Sequence, residues 1–471
     1  MQRFKIVNRI KLFLTLFALS FIQVGATNAD PLRVGLTGKY PPFNYFDNEG
    51  NLTGFDVDIS KAICKEIDQK CDFVILQWDG ILNALLSNKI DAIIGSMAIT
   101  EERSKQVFFT KPYYESGAQL FLRPDAPSKD KKGFKIGVTL GTTYGEFAKK
   151  EFPNAEIKFF KGDVDILEDI KVKRLDAIVT DKLVGLYMIE QTGAPLKIDG
   201  PLLFTENIAI PILKERTLLQ NKINQAITKI RTSALYDQLL EKYFGDQVDQ
   251  HQSSFKWSTA FTLLLKGLWQ TICVSFSGIL FGIFLGVLFS ICLSLKFPLL
   301  HYPILSFVDF IRCTPFLVQL FAVYFGLPSI GIKLSAWNSA FLAIAIHSAS
   351  YLAVIIKTAY ESIPIAQRHA GQVLGLNRLL TLKKIIIPQM IPLLMAPTLN
   401  TVIAMIKDSA MVSVISVHEL TLQAQELISA TFRPMEFYII TAILYFLITY
   451  PFLLLGKRLE KNFKSRGLLN E

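Results

Sequence analysis

Polar and apolar positions fall into two regimes along the chain. From Leu32 onward, short apolar runs alternate with stretches of helical period. "LRVGL", "CDFVIL" and "IDAIIG" read as strands, and "GFDVDISKAICKEI" and "DGILNALLSN" as the helices between them. After "FFTKPYYESGAQLFLR" the pattern restarts, with "FKIGVTL", "AEIKFF" and "LDAIVT" as strands and "TYGEFAKKEF" and "DVDILEDIKVK" as helices. "NIAIPIL" and the helices around 218–243 close this unit. Strands alternating with helices predict βαβ units and parallel sheets. Two such lobes joined by extended crossovers form a cleft, with ligands expected outside the carboxyl ends of the strands. A polar, aperiodic stretch at 247–256 reads as a linker. Beyond it, apolar segments at about 259–295, 304–327, 337–357, 393–416 and 437–456 are each long enough to cross a hydrocarbon core of about 30 Å. The first is longer than a span requires and leaves room for an interfacial helix at its start.

Composition and charge refine this picture. Arg3, Lys5, Arg9 and Lys11 precede an apolar run from Leu12 to Val24, and the small residues Ala26 and Ala29 follow. This pattern predicts a signal peptide over 1–29, with an uncleaved anchor helix as the alternative. Export exposes residues 30–246 to an oxidising compartment, where Cys64 and Cys71 either pair or remain two buried thiols. Cys273, Cys292 and Cys313 read as small packing residues. A net charge of +10 over 471 residues is compatible with nucleic-acid binding. The basic residues lie instead at the N-terminus, in the loop holding Arg368, Arg378, Lys383 and Lys384, and in the tail from Lys457 to Arg466. These are the flanks expected of cytoplasmic loops, so five spans put the C-terminus in the cytoplasm and residues 30–246 outside. No Cys/His cluster has metal-ligand spacing, and no G-x-x-x-x-G-K-[ST] loop is present. Neither a metal, a cofactor nor ATP is therefore expected in this chain.

Candidate chemistry gathers in the first regime. Thr100 is placed to cap a short helix whose first turn carries Glu101, Glu102 and Arg103. An Arg at that cleft edge suits a carboxylate held bidentately, its alternative being a surface Arg paired to Glu. Asp181 follows a strand at a helix start, where it either caps the helix or faces an ammonium group. Thr142 and Thr143 occupy the matching strand-to-helix turn, as anion contacts or as caps. Tyr40 and Trp78 sit on loops after strands and either stack on a ligand or join the core. An Arg on one lobe and an Asp on the other fit a zwitterionic α-amino acid.

The order of "YPPF", "GFDVDI", "IDAIIGSMAITEER", "FTKPYY", "LGTTYGEF" and "LYDQLLEKYF" resembles the periplasmic polar amino-acid-binding proteins of ABC importers over all of residues 30–246. The resemblance implies a two-lobed α/β periplasmic-binding-protein fold of type II. It implies Arg103 on the ligand carboxylate, Asp181 on its ammonium, and Tyr40 and Trp78 flanking its side chain. Ser96, Ala98, Thr142 and Thr143 are implied as polar and backbone contacts. Cys64 and Cys71 resemble the disulfide of the histidine and lysine–arginine–ornithine branch. That branch usually carries an acidic residue where Thr37 stands here, which leaves glutamine open beside arginine, lysine and histidine as ligands.

Residues 361–392 resemble the cytoplasmic coupling loop of ABC permeases. Gly375 is followed after nine residues by Ile385, then by Ile387 and Pro388, while the E-A-A positions read His369, Ala370 and Gly371. Leu and Ile at helical spacing predict a short, basic amphipathic helix at 371–388, between two spans, that lays its apolar side into a partner's groove. A helix lying on the membrane surface is the alternative. "DFIRCTPFLVQLF" and "IAMIKDSAMVSVIS" resemble motifs of polar amino-acid permeases. They bring Arg312, Lys407 and Asp408 to span ends or interiors, either along a translocation path or snorkelling to the interface.

Together these resemblances imply an all-α, five-span ABC permease domain over 257–471, fused to the binding domain. They imply the binding and permease subunit of an ATP-driven importer of polar L-amino acids in a bacterial inner membrane. Such a chain is not itself an enzyme. ATP and magnesium belong to a separate ATPase dimer, and the permease units are expected to pair as a homodimer or heterodimer. An amino-acid-gated channel or membrane sensor is the alternative, but the ligand domain is continuous and no filter such as TVGYG appears. An enzyme on this fold would leave the membrane half unexplained.

Overall fold

The computed structural model describes residues 31–245, 256–295 and 297–465. The expected signal peptide, residues 247–255 of the expected linker and Arg466 lie outside the described residues.

Two five-stranded sheets form the first half. The order in one is Cys71–Ile75, Leu32–Leu36, Ala92–Ile93, Pro211–Ile212, Phe108–Phe109, and in the other Glu156–Phe160, Lys135–Thr139, Ala177–Asp181, Tyr114–Leu122, Lys197–Ile208. Leu32–Leu36 and Lys135–Thr139 are each parallel to both neighbours. Burial on both faces explains why their runs are nearly all apolar. The chain passes between the lobes twice, and the passages lie side by side: Thr110 N donates to Ile210 O at 3.0 Å and Tyr113 N to Ile208 O at 3.0 Å. "NIAIPIL" therefore serves both sheets. It ends one strand at Ile208 and resumes in the other sheet at Pro211. A small sheet of Lys39–Tyr40, Asn44–Phe46 and Leu52–Thr53 was not foreseen from the alternation, because its strands are too short to show a period.

Phe55 packs against Phe43, Tyr114 and Phe244 with ring centroids 6.4, 5.5 and 4.9 Å away. This cluster seats the helix Ala234–Phe244 on the first lobe. The Cys64–Cys71 disulfide ties the helix Phe55–Glu66 to the strand Cys71–Ile75.

The second half is helical. Among the described residues four helices are long and apolar enough to cross a membrane: Trp257–Ser294, Ala336–Glu361, Arg378–Ile415 and Pro434–Phe463. A fifth stretch, Pro298–Cys313 with Phe316–Ile330, is bent by 114°. The break falls at Thr314–Pro315, where the residue before a proline is held extended. Gly278, Gly282 and Gly286 recur every fourth residue and share the helix face that meets Ala336–Glu361. A Cβ at Gly282 would overlap Ser348 Oγ and come within 2.9 Å of Ala345 O; one at Gly286 would lie 2.9 Å from Leu352 Cβ.

The stretch expected as one short basic helix divides differently. Ile365–Val373 is a separate helix, a turn follows at Gly375 (φ +75°), and from Arg378 the chain runs unbroken into the fourth span. Lys383 and Lys384 lie in a π-helical turn, Leu382–Ile386, immediately before Pro388. A widened turn accommodates a proline ring that would otherwise press on the carbonyl four residues back.

Candidate ligand cleft

Loops at the carboxyl ends of strands from both lobes converge on a cavity of ≈ 180 Å³. The first lobe contributes Thr37, Lys39, Tyr40, Gln77, Trp78, Ser96, Ala98 and Arg103, and the second contributes Thr142, Thr143, Tyr144, Asp163 and Glu206.

A buried carboxyl organises the first wall. Asp56 accepts from Tyr113 Oη at 2.7 Å, Asn44 Nδ2 at 2.8 Å and Ser96 Oγ at 3.0 Å. Asn44 Oδ1 in turn accepts from Thr37 Oγ1 at 2.8 Å and Gly38 N at 2.9 Å. Burial raises Asp56 to about 6, and the bonds from Tyr113, Asn44 and Ser96 act against that rise. One side chain thus fixes the loops that carry Thr37 and Ser96. Ser96 needs the support, since its φ of 54° is a conformation that non-glycine residues seldom adopt.

Arg103 sits on the short helix Glu101–Gln106, where Thr100 Oγ1 accepts from Arg103 N at 3.2 Å as a cap. Its Nη1 donates to Ala98 O at 2.9 Å and its Nη2 to Gly141 O at 3.0 Å. Trp78 Nε1 donates to the same Gly141 O at 3.1 Å, and the guanidinium lies 5.7 Å from the Trp78 ring centroid. The Tyr40 and Tyr144 hydroxyls are 3.3 Å apart. The two bonds to Gly141 O and the Tyr40–Tyr144 contact join one lobe to the other. Arg103, Trp78 and Tyr40 therefore meet second-lobe groups directly, and a ligand entering the cleft has to replace those contacts. Burial lowers the Arg103 pKa, and the charge of Glu206 acts most strongly against that fall. The guanidinium stays charged all the same.

Asp181 ends its strand and caps the next helix, accepting from Leu183 N at 2.7 Å and from Ser116 Oγ. It is buried, its carboxyl is pushed up to about 6 by that burial, and it is not among the cavity-lining residues. Asp163 does line the cavity, at the start of the helix Asp163–Lys171, and accepts from Thr139 Oγ1 at 2.6 Å and Thr180 Oγ1 at 3.0 Å. Lys39, Gln77, Asp163 and Glu206 escaped the sequence reading. For Lys39, Gln77 and Asp163 the available signal was position, since each closely follows a strand of the parallel core, as Tyr40 and Trp78 do.

The remaining wall comes from the membrane half. Gln425, Ile428, Ser429 and Tyr438 line the same cavity. The first three share one face of the helix Leu420–Thr431, at spacings of three and four. Glu419 starts this helix: its Oε1 accepts from Leu422 N at 3.0 Å, and its Oε2 accepts from Tyr445 Oη at 2.7 Å and Thr271 Oγ1 at 3.3 Å. Phe432, in the left-handed region, ends it. Lys39 Nζ donates to Gln425 Oε1 at 2.6 Å, Gln77 Nε2 to the same oxygen at 3.3 Å, and Ser416 Oγ to Ile75 O. Tyr187 of the second lobe packs on Phe432 with centroids 6.4 Å apart. "HELTLQAQELISATF" is too polar to span a membrane, and that polarity was the sequence signal for a surface helix here.

Away from the cleft, His369 and Ala370 are exposed, whereas Gly371 is buried where a Cβ would lie 2.6 Å from Thr381 Cγ2. Val373, Leu374 and Leu379 are 87%, 74% and 67% exposed, an apolar patch on the loop between spans. Arg312 pairs with Asp309 at 3.6 Å and lies 5.6 Å from the Tyr351 ring centroid. Lys407 is exposed and Asp408 half-buried at the end of the helix Ile387–Asp408.

Residues 32–246 match the family model of bacterial extracellular solute-binding proteins, family 3. Residues 278–465 match that of the binding-protein-dependent transport system inner membrane component. The probable amino-acid-binding protein YxeM of Bacillus subtilis is 34% identical over 229 residues, covering 47% of this chain and 86% of that protein. The L-arginine-binding protein of Pseudomonas aeruginosa is 36% identical over 245 residues, covering 49% of this chain and 95% of that protein. A solved structure of an ancestral arginine-binding protein bound to glutamine is 38% identical, with a TM-score of 0.44, and covers 46% of this chain and 100% of that one.

Proposed function

The chain belongs to the bacterial extracellular solute-binding proteins of family 3, fused to a permease domain of binding-protein-dependent transport systems, and on that premise we propose that it captures a polar L-amino acid outside the membrane and passes it to its own permease half. The observation that carries this reading is the cavity between the lobes, lined by Arg103 of the first lobe and Asp163 of the second, with the Asp181 carboxyl buried in the second lobe outside that lining. Arg103 takes the ligand carboxylate. Asp181, with Asp163, faces the ammonium group, Tyr40 and Trp78 flank the side chain, and Ser96, Ala98, Thr142 and Thr143 supply polar and backbone contacts. The relatives named for arginine make arginine and its basic analogues the first candidates, with glutamine beside them.

A separate ATPase dimer drives transport, with ATP and magnesium bound there. It docks at 365–381, where Val373, Leu374 and Leu379 leave an apolar patch uncovered. The broken stretch Pro298–Ile330 crosses once, which makes five spans and puts the basic tail in the cytoplasm. Two permease units pair, covering spans whose most apolar windows are only 22% and 11% buried within one chain. Reconstitution with the ATPase in proteoliposomes tests the whole reading: radiolabelled arginine or glutamine accumulates only with ATP. Uptake that equilibrates without ATP would favour a channel instead. Changing Val373 and Leu374 together to Asp is expected to cut ATPase co-purification about tenfold or more and to leave amino-acid binding intact. Undiminished co-purification removes the patch as the dock.

The pH dependence follows from Asp181. Its free-state value of about 6 is raised by burial, and an ammonium group beside it lowers that value in the complex. Between the two values, binding expels a proton. Affinity is therefore level above about pH 6 and falls as pH drops below it, by up to about tenfold per unit. Calorimetric titration in buffers of different ionisation heat counts the proton; a zero count below that pH would exclude Asp181 as the ammonium partner.

A further inference from the structure

We propose that the helix Leu420–Thr431 is a release element, in which Gln425 and the bound amino acid contend for Lys39 and Gln77. This inference rests on the amino-acid reading of the cleft. A binding cavity serving only to hold its ligand would be walled by the binding domain alone. Here Gln425, Ile428, Ser429 and Tyr438 of the membrane half complete it.

The chemistry of Lys39 gives the contact its consequence. Burial lowers its ammonium pKa to about 8, with Glu426 and Asp165 acting in the opposite direction. A half-buried cation gains from a partner, and among the described residues its hydrogen bond goes to Gln425 Oε1 at 2.6 Å. Gln77 donates to that same oxygen. Both side chains line the ligand cavity, so a polar ligand group that draws them towards itself pulls against Gln425. Conversely, seating the binding domain on this helix holds both groups towards Gln425 and occupies one N–H of each.

The start of the helix is anchored in the membrane half, while Gln425 and Phe432 meet the lobes. Glu419 at its start is held by Thr271 on the helix Trp257–Ser294 and by Tyr445 on the helix Pro434–Ser465. A shift of those spans therefore moves Gln425 relative to Lys39 and Gln77. Ligand release is thereby linked mechanically to the state of the permease.

The test uses the full chain in lipid nanodiscs with radiolabelled L-arginine and L-glutamine. Gln425→Ala should tighten binding about tenfold, the effect of removing one competing charge-assisted bond. In a background carrying Lys39→Ala and Gln77→Ala, the same change should leave the dissociation constant where that background sets it, because the contended donors are gone. A gain of affinity cannot arise from misfolding. Unchanged or weaker binding by Gln425→Ala overturns the proposal, as does a tightening that persists undiminished in the double-variant background. If the native chain binds neither amino acid, or binds one equally well after Arg103→Ala, the cleft reading fails and this inference fails with it. If binding depends on Arg103 but not on Gln425, the inference alone fails.

Discussion

Replacing Arg103 by alanine is expected to weaken amino-acid binding about a hundredfold. The guanidinium presents two nitrogens at the cleft, each already donating to a carbonyl, Ala98 O at 2.9 Å and Gly141 O at 3.0 Å. On the proposed reading, a ligand carboxylate replaces those neutral acceptors with charged ones. Each charge-assisted bond contributes about 1.5–3 kcal/mol, and the carbonyl bonds given up return part of that, leaving about 3 kcal/mol. Arg103→Lys should restore little, because an ammonium cannot match both carboxylate oxygens with a planar fork. Calorimetric titration of the full chain against the common amino acids measures the loss. An alanine variant that binds as tightly as the native chain would remove Arg103 from the carboxylate.

The second large effect lies in the membrane half, at Gly282. Its Cβ position is already taken by Ser348 Oγ and faces Ala345 O at 2.9 Å. The hydroxyl can rotate, but the carbonyl belongs to a neighbouring helix backbone and moves only if the helices separate. Gly282→Ala is expected to cost about 1–3 kcal/mol as overpacking. Gly282→Leu should prevent Trp257–Ser294 and Ala336–Glu361 from closing, since small residues are what let two membrane helices approach. Thermal unfolding and size-exclusion profiles in detergent report the outcome. The outer domain should still bind its amino acid, because no cleft residue touches this contact. A leucine variant that elutes and unfolds like the native chain would show that the glycine stripe does not set the helix spacing.

Much of the outer domain was legible because its chemistry is local. Alternating strand and helix patterns placed the parallel cores, and Thr100 and Asp181 occupy the helix starts that their residue types favour. The five apolar segments coincide with helices, but Pro315 turned one of them into a bent pair that a hydrophobic count alone does not reveal. The glycines at 278, 282 and 286 were equally visible as a four-residue repeat. Their meaning depends on which helix lies opposite, and periodicity does not say. The cleft was legible on the first lobe's loops and less so on the second. Asp181 reads well as a charge partner yet caps a helix behind the lining, while Asp163 reaches the cavity from a helix start that the sequence does not single out. The wall supplied by Gln425 could not be read at all. It is a contact between residues 386 positions apart, made only once both halves have folded.

The bond from Trp78 Nε1 to Gly141 O has a practical side. The sequence holds four tryptophans, and Trp257, Trp269 and Trp337 all belong to the helical half. Trp78 is thus the sole indole of the outer domain and reports across the gap between its lobes. Its emission should change colour and intensity when a ligand displaces Gly141 or Arg103 from the ring. The chain carries its own optical reporter of occupancy, and stopped-flow mixing could follow capture and release in real time without a dye.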